Sequence, residues 1–141
     1  MINRRDCLKY LSLGGLSLAT TAQAARAAAP SIQFRDLYVP PMQFSPQARQ
    51  LHGRTVQMKG YVAPPLKPDI HFFVISRLPL FECPFCEEEA QWPDNIVVVY
   101  SKQTIPTEVM TLNIRGRLEL GTKTDRKTGF VSRVRLMDAR Y

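Results

Sequence analysis

The sequence predicts an all-β fold, a small barrel of five strands behind a leader that is removed. Two patterns carry this expectation. Apolar residues recur at every second position in several segments, which is the period of a half-buried strand, and glycines stand inside those segments at Gly60 and Gly116. Beyond the leader no segment sustains the 3.6-residue period of an amphipathic helix.

Residues 1–27 have the anatomy of a cleavable export signal. A basic start (Arg4, Arg5, Lys9) precedes an apolar stretch, Leu11 to Ala19, that is too short to span a bilayer, and Ala22-Gln23-Ala24 is a small-residue cleavage site. The segment resembles the twin-arginine export signal, with Arg4, Arg5, Leu8 and Lys9 matching and Asn3 and Cys7 departing from its Ser/Thr and Phe. That resemblance implies export of a domain already folded in the cytoplasm, with the twin-arginine translocase as partner and the periplasm as destination. An ordinary secretory signal holding two arginines is the alternative, disfavoured by the weak hydrophobicity of the apolar stretch and by Arg26. Cys7 precedes the apolar stretch, so it cannot carry a lipid anchor and leaves with the signal. Residues 28–141 then form one domain's worth of chain.

Within that domain, residues 31–45 are irregular and proline-punctuated, yet Phe34, Leu37, Tyr38, Val39, Met42 and Phe44 are too apolar for a solvated tail; the segment is expected to pack across the domain. Pro46 to Leu51 reads as one helical turn, with proline at its start and Gly53 after its end. The first strand spans Thr55 to Val62, turning Val56, Met58 and then Tyr61 or Val62 inward, and Gly60 suggests a bulge or bend. His71 to Ser76 is a continuous apolar run, buried on both faces or covered by residues 31–45. Ile96 to Tyr100 is a second such run, entered through the turn Trp92-Pro93-Asp94-Asn95. Val109 to Leu120 alternates apolar and polar residues. Gly121 to Gly129 is then a polar hairpin loop, and Phe130 to Tyr141 is the last strand, with Val131, Arg133, Arg135 and Met137 as its wetter set.

Five strands, mid-strand glycines and one helical turn fit an OB-like barrel better than a sandwich, which needs about seven strands. The order Leu51-His52-Gly53-Arg54-Thr55-Val56, Gly60-Tyr61-Val62, a cysteine pair, Pro93-x-Asn95-x-Val97 and Leu112-x-Ile114-x-Gly116-x-Leu118 resembles a family of small exported bacterial proteins known as a domain of unknown function. The resemblance spans most of residues 28–141 and implies an OB-like barrel with paired cysteines ahead of the third strand. It implies no activity.

The chain's formal charge is +7, of which Arg4, Arg5, Lys9 and Asp6 contribute +2, so the exported domain stays basic. Nucleic acid is not expected as a partner outside the cytoplasm. The arginines are scattered through strands rather than gathered in one run, and they read as solvated strand faces.

Chemistry converges at Glu82-Cys83-Pro84-Phe85-Cys86-Glu87-Glu88-Glu89. Two thiols at this spacing chelate one metal ion or close a disulfide. Zinc would need further ligands, for which His71, His52, Asp69 and Glu87 are the candidates; copper(I) would need only the thiolates, with Met42 or Met58 as soft supplements. A thiol-disulfide exchange site is a second reading, opposed by the neighbouring glutamates, which raise a thiol pKa. A structural disulfide that pins this loop is the third, and it is the reading that the pair by itself favours over the other two. Haem attachment is excluded because Glu87, not histidine, follows Cys86. No Ser/His/Asp set, phosphate-binding glycine loop or pair of catalytic acids stands out. The expectation is a non-enzymatic periplasmic accessory or binding protein, holding zinc or copper at Cys83 and Cys86. The alternatives are a thiol-active protein and an interaction module whose basic face docks on a periplasmic or membrane protein.

Overall fold

The computed structural model describes residues 28–64, 70–80, 92–108 and 110–141; the segment expected to be an export signal, with Arg4 and Arg5, Asp69, and the cysteine segment with Cys83, Cys86 and Glu87 lie outside the described residues. A 3-10 turn (Phe34–Asp36), β1 (Tyr38–Val39), β2 (Gln43–Phe44) and the short helix α1 (Pro46–Leu51) precede five longer strands. These are β3 (Thr55–Val62), β4 (Phe72–Ser76), β5 (Ile96–Ser101), β6 (Thr111–Thr124) and β7 (Val131–Arg140). They pair in the order β3-β4-β5-β7-β6, and β6 returns to β3, closing a barrel. All pairings are antiparallel except β5 with β7.

Alternation decides which side chains fill the barrel. Val56, Met58 and Val62 of β3, Phe73 and Ile75 of β4, Val97 and Val99 of β5, Ile114 and Leu118 of β6, and Val134, Leu136 and Ala139 of β7 form one buried core. Helix α1 contributes Ala48 and Leu51 to it. Its capping is local: the Ser45 hydroxyl accepts from the Ala48 N–H at 3.0 Å, and Pro46 occupies the first turn, where no N–H is needed.

Residues 30–37 close the weak seam of this barrel. β3 and β4 are in register only at Tyr61↔Ser76 and Val62↔Ile75, which leaves the first half of β3 with a free edge. The Ile32 N–H donates to the Gln57 carbonyl at 3.0 Å and the Gln57 N–H to the Pro30 carbonyl at 2.9 Å, so this segment satisfies that edge. Ile32, Phe34 and Leu37 bury themselves in the core as they pass. The expected packing of residues 31–45 is therefore present, with a specific backbone role.

Four expectations change. Gly60 is not a bulge, because β3 pairs with β6 without interruption from Thr55 to Tyr61. It is a close approach instead: a Cβ there would stand 3.0 Å from Ile75 Cβ and 3.2 Å from Phe34 Cε2. β6 does not end at Leu120 but continues to Thr124 through a register shift between Leu120 and Lys123, with Gly121 at φ +108°. Arg135 is not solvated. It is 4% exposed, donating to the Gly121 carbonyl at 2.8 Å, the Ser132 carbonyl at 2.9 Å and hydroxyl at 3.0 Å, and the Glu119 carboxylate at 3.4 Å. The Gly121 carbonyl in the irregular stretch of β6 and the Ser132 carbonyl of β7 both lie within reach of this one multi-donor cation, which accounts for an arginine inside. Near the end of β7 the inward parity also changes: Asp138 has φ +50°, and Leu136 and Ala139 both point to the core.

Candidate functional site

The outer faces of β4 and β5 are as apolar as their inner faces. Phe72, Val74, Ile96 and Val98 form a second buried cluster with Ala63 and Trp92, against which Tyr38, Met42, Leu80, Tyr100 and Phe130 pack. Trp92 does not cap the barrel end; it covers this outer face, 8% exposed, its indole N–H donating to the Tyr38 hydroxyl at 3.1 Å. Tyr38 stacks on Phe44 at 5.5 Å, and the Arg133 guanidinium lies 5.3 Å from the Phe44 ring centre and 5.9 Å from that of Tyr38. Burial pushes the Tyr38 phenol above its ordinary range, outweighing the Trp92 hydrogen bond and the Arg133 charge, so the hydroxyl stays protonated.

At the margin of this aromatic face His71 Nε2 lies 2.9 Å from Asp125 Oδ2, and the Tyr100 hydroxyl donates to the same oxygen at 3.1 Å. The other carboxylate oxygen accepts from the Lys127 N–H at 3.0 Å and from the Thr128 N–H and hydroxyl, each at 2.9 Å. Local sequence explains half of this: Asp125-Arg126-Lys127-Thr128-Gly129 is a turn whose aspartate caps the following N–H groups, with Gly129 at φ +73°. Burial raises the Asp125 carboxyl, but the Thr128, Tyr100 and His71 interactions outweigh it and hold the group at about 2. Burial first, and then the Asp125 charge, push the Tyr100 phenol well above its usual range.

These directions assign the protons. Asp125 is ionised at neutral pH and accepts only, so His71 Nε2 carries the hydrogen and donates it. In the neutral imidazole the lone pair is then on Nδ1. The His71 side chain is 37% exposed, and among the described residues nothing hydrogen-bonds Nδ1. A carboxylate on one ring nitrogen with the other left bare is the arrangement in which histidine commonly ligates metals.

Of the sequence-predicted residues, the structure separates the two histidines. His52 caps the C-terminus of α1, and its Nδ1 accepts from the Leu120 N–H of β6 at 3.0 Å. His71 instead meets Phe72 edge to face and Tyr100 at a tilt, each at 5.6 Å. Met58 is fully buried inside the barrel and offers no sulfur to a surface ion, whereas Met42 packs against the outer aromatic face. Among the described residues no group of three or more His, Cys, Asp or Glu could hold a metal ion. Sequence reading missed Asp125 and Tyr100. The turn signal at Asp125 was visible, but its partnership with His71, 54 residues away, was not.

No protein-family model matches the chain, and no curated protein does. Among solved structures, the chain is similar to a DUF3299 family protein from Pseudomonas aeruginosa PAO1. The TM-score is 0.50 at 13% identity, over 81% of this chain and 94% of that one. The likeness is one of fold. It agrees with the resemblance to a domain of unknown function and assigns no chemistry.

Proposed function

We propose that the protein is an exported, non-enzymatic binding protein of the periplasm. In this reading an OB-type barrel supports a Cys83/Cys86 site for a thiophilic transition metal, zinc or copper. The OB assignment draws on the strand order β3-β4-β5-β7-β6 with its one parallel pair, β5 with β7. Export is the reading of Arg4 and Arg5, with the twin-arginine translocase as transient partner; folding before transport would leave the thiols reduced and able to take up metal in the cytoplasm.

One observation favours His71 over His52 as a further ligand. Leu80 and Trp92, the described residues that flank the cysteine segment, both pack on the cluster containing Phe72, whose ring contacts His71. His71 also has its Nε2–H held by Asp125 and, among the described residues, no hydrogen-bond partner at Nδ1, whereas the Nδ1 of His52 is occupied by β6.

Metal content of the exported chain, purified without chelators, tests the proposal. Stoichiometric zinc or copper, lost in Cys83→Ser and Cys86→Ser, weakened in His71→Ala and unchanged in His52→Ala, is the expected result. A metal-free protein whose only cysteine signature is a readily reduced disulfide supports the thiol-exchange reading. Indifference of both metal content and redox titration to the cysteine substitutions leaves the interaction module.

A further inference from the structure

The arginines that look scattered in the sequence are gathered by the barrel. On the outer face of β3, β6 and β7, Thr55, Arg115, Gly116, Arg117, Met137, Asp138 and Arg140 line a cleft of about 410 Å³. A neighbouring cleft of about 580 Å³ shares Asp138 and Arg140 and adds Lys102. The acid in this region is committed: Asp138 pairs with Arg117 at 3.4 Å, and Arg117 also reaches Glu119 at 3.0 Å. Arg115, Arg140 and Lys102 are exposed and have no acidic partner among the described residues.

Arg115 and Arg140 are also register partners across β6 and β7. Directly opposed residues of an antiparallel pair have Cβ atoms about 4.5–5.5 Å apart, and like charges there are destabilising. The register shifts between the Arg115–Arg140 pair and the Arg117–Met137 pair, and Asp138, with its positive φ, lies within that shift. A concave site that opposes two guanidiniums without acidic partners among the described residues, and whose one carboxylate already reaches Arg117, is matched to an anion.

We propose that Arg115 and Arg140, with Lys102 beside them, bind a phosphate group. Two guanidinium forks and an ammonium present three charges. A phosphate dianion can take bidentate bonds from both forks, whereas a single carboxylate would leave most of that charge unanswered. The phosphate group is either free or the terminal monoester of a lipid headgroup such as that of phosphatidic acid, since a phosphodiester carries only one charge; the residues engaged are the same. This site is separate from the His71 margin and does not depend on the metal reading.

Titrating the full exported chain with inorganic phosphate, following the arginine Nε–H signals by NMR, and floating it with phosphatidic acid vesicles against phosphatidylglycerol vesicles of equal surface charge tests both sources. Saturable binding that falls at least about tenfold in Arg115→Gln and in Arg140→Gln, and is unchanged in Lys127→Gln, is expected. Response to free phosphate assigns a soluble ligand; response to phosphatidic acid vesicles alone assigns a headgroup. Without phosphate at low salt, each arginine substitution should also raise the melting temperature by roughly 1–4 °C, since it relieves the repulsion. The proposal is overturned by absence of binding in both arms, by binding that survives both arginine substitutions, or by substitutions that leave or lower the melting temperature.

Discussion

The barrel has two outer faces of opposite character. Over β4 and β5 the outside is aromatic and covered, by Trp92, Tyr38, Met42 and Phe130. Over β3, β6 and β7 it is cationic and open, with Lys59, Arg115 and Arg140 exposed. Both faces belong to one closed sheet with one interior, so the difference resides in the outward positions alone. An apolar outward position must be covered and can anchor chain segments. A charged one needs no cover and is left to meet a ligand.

Substitutions on the two faces should therefore act on different observables. Trp92→Ala removes a buried indole and its bond to Tyr38, and is expected to cost about 3–5 kcal/mol in urea unfolding. If instead it costs no more than an exposed substitution, the aromatic face is not an anchor. Asp125→Ala strips His71, Tyr100 and the Thr128 turn of their common acceptor and should cost about 1.5–3 kcal/mol at neutral pH. Its pH dependence has a definite sign. The folded carboxyl is held at about 2, below its unfolded value of 3.8, so its stabilisation is fully present above the unfolded value and is lost as pH falls through 2. The stability gap between the protein and Asp125→Asn should shrink as the pH falls below about 4.

Gly60→Ala sharpens the contrast between face and interior, because the added Cβ meets Ile75 and Phe34 rather than solvent. Overpacking of this kind costs about 1–3 kcal/mol. The smallest effect belongs to the cationic face: Arg117→Ala loses bonds to Glu119 and Asp138 on a side chain that is 43% exposed, and the change in stability should be within about 1 kcal/mol. A larger loss would mean that this face, too, is structural.

The two faces were not equally legible. Phe72-Phe73-Val74-Ile75 and Ile96-Val97-Val98-Val99 are unbroken apolar runs, and unbroken runs announce burial on both sides without reference to any other part of the chain. The cationic face left no such mark. Arg115 and Arg140 lie 25 positions apart, each in an ordinary alternating strand, and only the β6–β7 register sets them side by side. Arg135 misled for a related reason: by pattern it is one more outward arginine, and the Gly121 carbonyl it satisfies lies where β6 shifts register beyond Leu120.

The features readable along the chain are local. The two-residue period, the proline and serine at the start of α1, the Asp125 turn and the doubly apolar strands follow from interactions within a few residues, and the structure contains each of them. Features that depend on pairing at a distance came only with the folded barrel: the seam of β3 completed by residues 30–32, His71 joined to Asp125 and parted from His52, and the charges opposed across β6 and β7. Side-chain alternation states which residues share a face of one strand. Which strand lies beside it, and in which register, is settled by barrel closure.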